Sequence, residues 1–183
     1  MRARGQDCKC SRLLGQDFGS ESPRRARNRL SARCLDRALP GTEVQYAAKA
    51  YLSPALAAIL AEEDFGMDVV SGGELYVGQA GGFPAERMAF HGNNKSEAEL
   101  REALEAGIGL IIVDNDDELA RLDRITTELG RSQAVMLRVT PAVDAHTHEK
   151  TTTGLRDSKF GFPLETGDAH KAVMQILEST SLR

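Results

Sequence analysis

The chain has 183 residues, of which 41% are hydrophobic and 27% charged, a composition typical of a globular protein with one sizeable core. Its apolar runs are all far shorter than the ~18 residues that a transmembrane helix requires, which excludes an integral membrane protein. The chain is also shorter than the ~250 residues of a complete β/α barrel.

The formal charge of -4 is unevenly distributed along the chain. Residues 1–40 contain nine arginines and one lysine against four acidic residues, a net charge of +6, so the other 143 residues carry -10. We interpret residues 1–38 as an unstructured or atypical leader. The acidic residues argue against a transit peptide, and Phe18 alone could stack on a base, so no nucleic-acid partner is expected. An odd number of cysteines confined to this segment favours a reducing compartment, the cytoplasm; they are Cys8, Cys10 and Cys34.

From Pro40 onward, short apolar runs alternate with longer segments of helical periodicity. The apolar runs predict five strands, at residues 44–48, 67–70, 88–91, 110–113 and 134–139. The periodic segments predict helices at residues 55–63, from Glu74 to about 81, up to Ala106, up to Leu129, and at 168–179.

Several helix ends carry recognisable capping residues. Ser53-Pro54 predicts an N-cap followed by proline at the first helical position. Ser96 and Glu99 form the pattern of a capping box, and Gly107 is expected to end that helix. Residues 114–116 are expected to cap the fourth helix.

The repeated order of strand and helix, with connections of two to six residues, predicts parallel strands joined by crossover helices. Such strands are expected to be buried on both faces, and the runs LIIV and VMLRV have the continuous apolar character that this requires. Residues 140–166 then break the pattern with a long polar stretch rich in Gly and Thr, which predicts a functional loop.

Polar residues follow the predicted strands, at the edge where parallel β/α folds collect their active sites. Taken singly, most have ordinary explanations, since a surface lysine is solvated and Asp114 or Asn115 can cap a helix. Arg138 is harder to explain, because it interrupts an apolar run at an inward position, where a guanidinium needs a partner. The residues concerned are Lys49, Asp68, Ser71, Glu74, His91, Asn93, Asn94, Asp114, Asn115 and Arg138.

Three further motifs are weak. His146 and His148 lack a third ligand at a suitable spacing, so no metal site is predicted. The glycines of Gly107-Ile108-Gly109 follow a helix, whereas the nucleotide fingerprint follows a strand. Gly72-Gly73 follows a strand and fits either a phosphate cradle or a tight strand-to-helix turn.

An ordered set of motifs resembles the bacterial diaminopimelate decarboxylases. These enzymes use pyridoxal phosphate and are built on an alanine-racemase-like (β/α)8 barrel, as are the ornithine and arginine decarboxylases. The resemblance covers about residues 39–183 and implies a partial barrel of this type, without the C-terminal β domain of the family. The motifs, in order, are YAAKA, DVVSGGEL, HGNNKS, GLIIVDN, LRVTP and VDAHTHEKTTTGLRDSKFGF.

The resemblance implies pyridoxal 5'-phosphate as the cofactor, with Lys49 as the residue that bonds to it covalently. It also places Asp68, Glu74 and Arg138 around the cofactor, and His91 is expected to join them because it lies at a strand end facing the same barrel mouth. An amine attacks an aldehyde only after losing its proton, which a low-dielectric or cationic pocket favours. The implied reaction is decarboxylation of meso-2,6-diaminopimelate, an amino-acid substrate, to L-lysine. The family is typically homodimeric.

The chain departs from the family pattern at both ends. The first strand, the glycine-rich phosphate loop, the acidic partner of the pyridine nitrogen and the C-terminal β domain are not recognisable. We therefore expect little or no decarboxylase activity from this chain alone. Two alternatives are a relative that acts on ornithine, arginine or carboxynorspermidine, and a non-catalytic remnant that binds pyridoxal phosphate.

Overall fold

The computed structural model describes residues 42–141 and 160–183, and within them five parallel strands form one sheet in the order β1-β2-β3-β4-β5. Each strand lies within a residue or two of its predicted position. The strands are β1 (Gln45–Ala47), β2 (Gly66–Val69), β3 (Met88–Phe90), β4 (Leu110–Val113) and β5 (Val135–Leu137).

Helices connect the strands and follow the sheet, as the periodicity predicts. Four of them are α1 (Pro54–Glu62), α2 (Gly72–Ala80), α3 (Glu97–Ala106) and α4 (Asp116–Glu128), and α5 (Asp168–Glu178) lies near the carboxyl end of the chain. Short 3-10 turns lie at Ala48–Ala50 and Ala85–Arg87.

The strand order is that of a barrel segment. Each strand pairs with the next one along the chain, whereas a doubly wound sheet reverses its strand order at a switch point. Sequential right-handed crossovers place every connecting helix on the same side of the sheet. The five strands therefore form part of a β/α barrel, as expected.

The face of this sheet away from the helices, called the open face below, is only partly buried, because Ala89 is fully buried there whereas Met136 is not. This corrects, for part of the sheet, the prediction that the strands are buried on both faces. Met67, Val69, Phe90, Ile111 and Val113 are all fully buried on the helix side, where they form the main core. Residues between them in the strands face the other way, because side chains alternate along a strand. On that face Met136 is 55% exposed, since the described helices cover only the opposite side.

Capping residues confirm the helix boundaries read from the sequence. The Ser53 hydroxyl accepts a hydrogen bond from the Leu56 amide with Pro54 at the first helical position, and Ser96 with Glu99 forms the capping box. Gly107 ends α3 in the left-handed conformation with a φ of 76°. One start is corrected: α2 begins at Gly72 rather than Glu74, because Ser71 is the N-cap.

The segment predicted as one loop over residues 140–166 contains a strand. Val139–Thr140 (β6) pairs in parallel with Phe162–Pro163 (β7), and Leu164 returns an amide hydrogen bond to the Thr140 carbonyl. This pairing holds the two ends of the segment together. The leader at 1–38 with its cysteines, most of the HTHE to KFGF motif, and His146 and His148 lie outside the described residues.

Candidate active site

Several of the polar residues singled out in the sequence lie at the carboxyl ends of the strands, along one edge of the sheet. Asp68 is the register partner of Ala89 in β3 and of Ala47 in β1. At the far edge, Val113 pairs with Leu137, so the residues that follow them, Asp114 and Arg138, are neighbours at the carboxyl ends of β4 and β5. Parallel pairing thus aligns side chains that are distant in sequence along one edge.

Asp68 and His91 come together at the ends of β2 and β3. Nδ1 of His91 lies 3.5 Å from Oδ2 of Asp68, within ion-pair range. The other two polar atoms of the pair, Oδ1 of Asp68 and Nε2 of His91, are buried without a hydrogen-bond partner among the described residues. Because the carboxylate faces Nδ1, it favours the tautomer that leaves Nε2 free to meet a ligand.

Asp114 and Arg138 form a second pair across β4 and β5. Oδ1 of Asp114 lies 3.4 Å from Nη1 of Arg138, and the guanidinium stacks 4.6 Å from the ring centre of Phe160. Asp114 is 1% exposed, whereas the side chain of Arg138 remains 27% exposed. The expectation that Arg138 needs a partner is confirmed, and the cap of α4 is Asn115.

Lys49 lies in the 3-10 turn that follows β1, two residues beyond the register partner of Asp68. Its side chain is exposed and forms no hydrogen bond or ion pair within residues 42–141 and 160–183. The expected low-dielectric surroundings are therefore not provided by this part of the chain. What the structure provides is an accessible amine at the carboxyl end of the first strand.

The carboxylates of Glu74 and Glu99 occupy the turn between β2 and α2. Oε2 of Glu74 accepts a hydrogen bond from the Val70 amide at 2.8 Å, and Oε1 of Glu99 accepts one from the Gly72 amide at 2.9 Å. Gly72 and Gly73 are the first residues of α2 and not a tight turn, and the Gly72 amide is already bonded to Glu99. A Cβ at Gly72 would lie 3.1 Å from a carboxylate oxygen of Glu102, so close packing explains this glycine. Glu74 thus holds the turn beside Asp68.

The pKa of Glu99 is lowered by its hydrogen bonds from the Gly72 and Ser96 amides. A carboxylate with a lowered folded-state pKa contributes stability that is present above the unfolded value of about 4.3 and is lost as the pH falls through the folded value. We expect the unfolding free energy of Glu99→Gln to fall less steeply than that of wild type between about pH 5 and pH 3. Urea unfolding across this range measures the slope.

A matched control for this prediction is Glu105→Gln, an exposed residue of the same helix that makes no hydrogen bond in the described part of the chain. It should leave the wild-type slope unchanged. Equal slopes for Glu99→Gln and wild type would contradict the bond between Glu99 and the Gly72 turn.

The sequence analysis missed a buried ion pair, between Lys95 and Glu118. Nζ of Lys95 lies 2.7 Å from Oε1 of Glu118 and donates hydrogen bonds to the carbonyls of Gly92 (2.6 Å) and Ile112 (2.9 Å). Both side chains are almost fully buried, and burial raises the pKa of Glu118 against the opposing effect of Lys95. Through its hydrogen bonds to Gly92 and Ile112, Lys95 links the segment that follows His91 to the strand that precedes Asp114. A lysine before an N-cap serine, opposite a glutamate in the first turn of the next helix, was the available signal.

Comparison with known proteins identifies the family. The family described as pyridoxal-dependent decarboxylase, pyridoxal binding domain, matches residues 27–183. The chain belongs to this family. The resemblance read from the motifs is thereby confirmed, and so is the barrel assignment.

Individual relatives agree with the family. The chain is 53% identical over 141 residues to the diaminopimelate decarboxylase of Bacillus subtilis (strain 168), covering 77% of this chain and 32% of the relative. Among solved structures, diaminopimelate decarboxylase of Helicobacter pylori complexed with L-lysine superposes with a TM-score of 0.78 at 29% identity, covering 86% of this chain and 40% of that one. The M. jannaschii diaminopimelate decarboxylase, in co-complex with L-lysine, gives 0.72 at 34% identity, covering 87% and 37%. The chain thus spans about a third of the length of the curated relatives it matches.

None of the helices in residues 42–141 and 160–183 is long and apolar enough to cross a membrane. The same residues contain no cluster of three or more His, Cys, Asp or Glu side chains arranged to hold a metal ion.

Proposed function

We propose that this chain is the pyridoxal-phosphate-binding part of an enzyme that decarboxylates meso-2,6-diaminopimelate to L-lysine. The observation that carries the proposal is the exposed amine of Lys49, which has no partner within residues 42–141 and 160–183. It lies at the carboxyl end of β1, on the same sheet edge as Asp68, His91 and Arg138. The 53% identity to the Bacillus subtilis relative supports the choice of diaminopimelate as the substrate.

The described residues fit pyridoxal phosphate. Three buried polar atoms at the ends of neighbouring strands have no hydrogen-bond partner among the described residues; they are Oδ1 of Asp68, Nε2 of His91 and Oδ2 of Asp114. Buried polar atoms are rarely left unpaired, and a ligand with polar substituents would satisfy them. An amine, an imidazole and a guanidinium suit an anionic aromatic aldehyde. When bound, the cofactor supplies this aldehyde and a ring that accepts the electrons left when carbon dioxide departs.

Lys49 is the residue that bonds covalently to the cofactor in this proposal. Its Nζ would have to be unprotonated to act as a nucleophile toward the aldehyde. The same Nζ, once protonated, could serve as a proton donor to the bound substrate. Exposure of Lys49 on the 3-10 turn gives it access to a ligand on the open face.

The other site residues bind and orient. His91, held by Asp68, presents Nε2 to a ligand, and Arg138, held between Asp114 and Phe160, presents a planar cation with hydrogen-bond donors. Glu74 keeps the turn after β2 in place and so fixes the strand that carries Asp68. We infer roles of cofactor binding for Asp68, His91 and Arg138 on this basis. For Glu74 the same role comes from the family resemblance, and its observed contact supports the turn beside the site.

Carbon dioxide release tests the substrate choice. We expect a chimera of this chain with the remaining two thirds of the Bacillus subtilis relative to convert meso-2,6-diaminopimelate to lysine when pyridoxal phosphate is added. Ornithine and arginine should be turned over far more slowly, and Lys49→Ala should abolish the reaction. Faster release from ornithine or arginine would reassign the substrate, and bound cofactor without turnover of any of the three would favour the non-catalytic alternative.

Three remaining parts of the proposal concern the whole protein. We place it in the cytoplasm, as a homodimer, with no nucleic-acid partner. The first rests on the cysteines confined to residues 1–38, the second on the family resemblance, and the third on the scarcity of aromatic residues beside the basic leader. The proposed domain boundary, with a leader at 1–38 and the barrel part at 39–183, is close to the start of the family match at residue 27 but does not coincide with it.

A further inference from the structure

Within the described residues, Arg138 is the only cation with which the Asp114 side chain forms an ion pair. The helix that follows it is capped by Asn115, so the Asp114 carboxylate has no capping duty. It is 1% exposed, and its only charged contact among the described residues is Nη1 of Arg138, 3.4 Å from Oδ1. A carboxylate buried for packing would have both oxygens bonded, but Oδ2 is unpaired there. A buried charge kept in this state calls for a functional explanation.

The backbone of Asp114 is held by a contact with the buried Glu118. Its amide donates to Oε2 of Glu118 at 3.2 Å, and Oε1 of Glu118 lies 2.7 Å from the buried Nζ of Lys95. The Lys95–Glu118 pair, Asp114 and Arg138 therefore form a continuous series of contacts from the core to the sheet edge. Their four formal charges sum to zero, so no member is left uncompensated in the buried part.

Arg138 is anchored at its backbone and free at its tip. Its amide donates to the Val113 carbonyl at 2.9 Å, and its carbonyl accepts from the Phe162 amide at 2.7 Å. The guanidinium lies over Phe160, which restrains its plane but not its direction. An arginine side chain has several rotatable bonds, and at a partly exposed position it would extend into water without a counter-ion.

We propose that Asp114 is a positioning residue that directs the guanidinium of Arg138 onto the open face of the sheet. The consequence for cofactor binding rests on the proposed function, in which Arg138 contacts pyridoxal phosphate. The contact between Asp114 and Arg138 itself does not depend on any ligand.

The first test needs no cofactor. Phenylglyoxal modifies arginine, and peptide mass mapping follows the rate at Arg138 in the purified chain. Asp114→Asn keeps the shape of the side chain but removes the charge, so modification of Arg138 should become roughly five- to tenfold faster. The control is Asp123→Asn, which alters a carboxylate of α4 that accepts hydrogen bonds from Ser179 and Ser181. This control should leave the rate at Arg138 unchanged.

The second test is a double-mutant cycle on the dissociation constant of pyridoxal phosphate, measured by absorbance titration. Asp114→Asn should weaken binding roughly tenfold in wild type and have almost no effect in an Arg138→Gln background. Equal weakening in both backgrounds would show that Asp114 acts on the ligand directly and would overturn the positioning role. An unchanged modification rate at Arg138 in Asp114→Asn would also overturn it.

The two tests separate this proposal from the proposed function. If wild type binds no pyridoxal phosphate, the function fails, and the modification rates alone decide the role of Asp114. If Asp114→Asn does not fold, as circular dichroism would reveal, Asp114→Ser removes the charge with a smaller side chain. In that variant too, modification of Arg138 should be faster than in wild type, and a wild-type rate would contradict the proposal.

Discussion

Replacing Lys95 by Met should destabilise the fold by about 3–5 kcal/mol, because it leaves the buried carboxylate of Glu118 without its cation. The side chain of Lys95 is fully buried, so water cannot take the place of the ammonium. The change also removes the hydrogen bonds to the carbonyls of Gly92 and Ile112. The midpoint of urea unfolding, with the slope of the transition, measures the loss.

The double variant Lys95→Met with Glu118→Leu shows whether the stability is lost because a charge is left unpaired or because packing is disturbed. A buried pair replaced by apolar residues of similar volume is often neutral, so most of the lost stability should return. Recovery should be incomplete, since the Asp114 amide and the two carbonyls lose their partners. Lys171→Met, at an exposed lysine paired with Asp168, is the control and should leave the midpoint unchanged.

The pH dependence of the same variants provides an independent check. Burial raises the pKa of Glu118, and removing the Lys95 ammonium takes away the main effect that opposes this rise. A raised folded-state pKa contributes stability at low pH that is lost as the pH rises, so protonation of Glu118 relieves the penalty. The difference in urea-unfolding midpoint between Lys95→Met and wild type should therefore become smaller as the pH falls. Equal midpoints at every pH would mean that the pair is not formed in solution.

Local signals in the sequence predicted the elements of the fold. The Ser53-Pro54 start, the capping box of Ser96 with Glu99 and the end of α3 at Gly107 depend on residues within one turn of each other. The order of the strands followed from the alternation of strand and helix. What local patterns could not supply was the exposure of one sheet face, because a buried strand and a half-covered strand of apolar residues read alike.

Contacts between distant segments explain the remaining differences. Gly109 could be read as a fragment of a nucleotide motif, but a Cβ there would lie 2.0 Å from the Glu86 carbonyl oxygen, so its role is close backbone approach. In the same way, the pairing of Lys95 with Glu118 and of Asp114 with Arg138 depends on the strand register, which single residues do not encode. Asp114 was therefore predicted to cap the helix, whereas the N-cap is Asn115.

In the candidate site too, local sequence signals identified residues, and contacts between distant segments determined their partners. Position after a strand selected Lys49, Asp68, His91 and Arg138, and the structure brings Asp68 to His91 and gives Arg138 a carboxylate partner. The assignment of Lys49 to the cofactor came from the family resemblance and stays a prediction. The accessible amine at this position is the physical basis on which that prediction can be tested.

Borohydride reduction in the presence of pyridoxal phosphate should place nearly all of the label on Lys49. Three lysines lie in the described part of the chain, and their surroundings differ. Lys95 is buried in its ion pair, and the hydrogen bond of Lys171 to Asp168 raises the pKa of Lys171, which reduces its free-amine form. Lys49 is exposed and has no such partner within that part. Peptide mapping by mass spectrometry across the whole chain locates the label.

Two variants test whether the labelling is specific to the site. Lys49→Ala should remove the label, whereas Lys171→Ala should retain it, since both remove an exposed amine but only one lies at the sheet edge. A surface reaction would spread over accessible lysines and rise linearly with the concentration of pyridoxal phosphate. A site formed by Asp68, His91 and Arg138 would instead saturate, and Arg138→Gln would raise the concentration needed for half-saturation. Label that spreads without saturation would remove Lys49 from the site, and with it the observation on which the decarboxylase assignment of this chain depends.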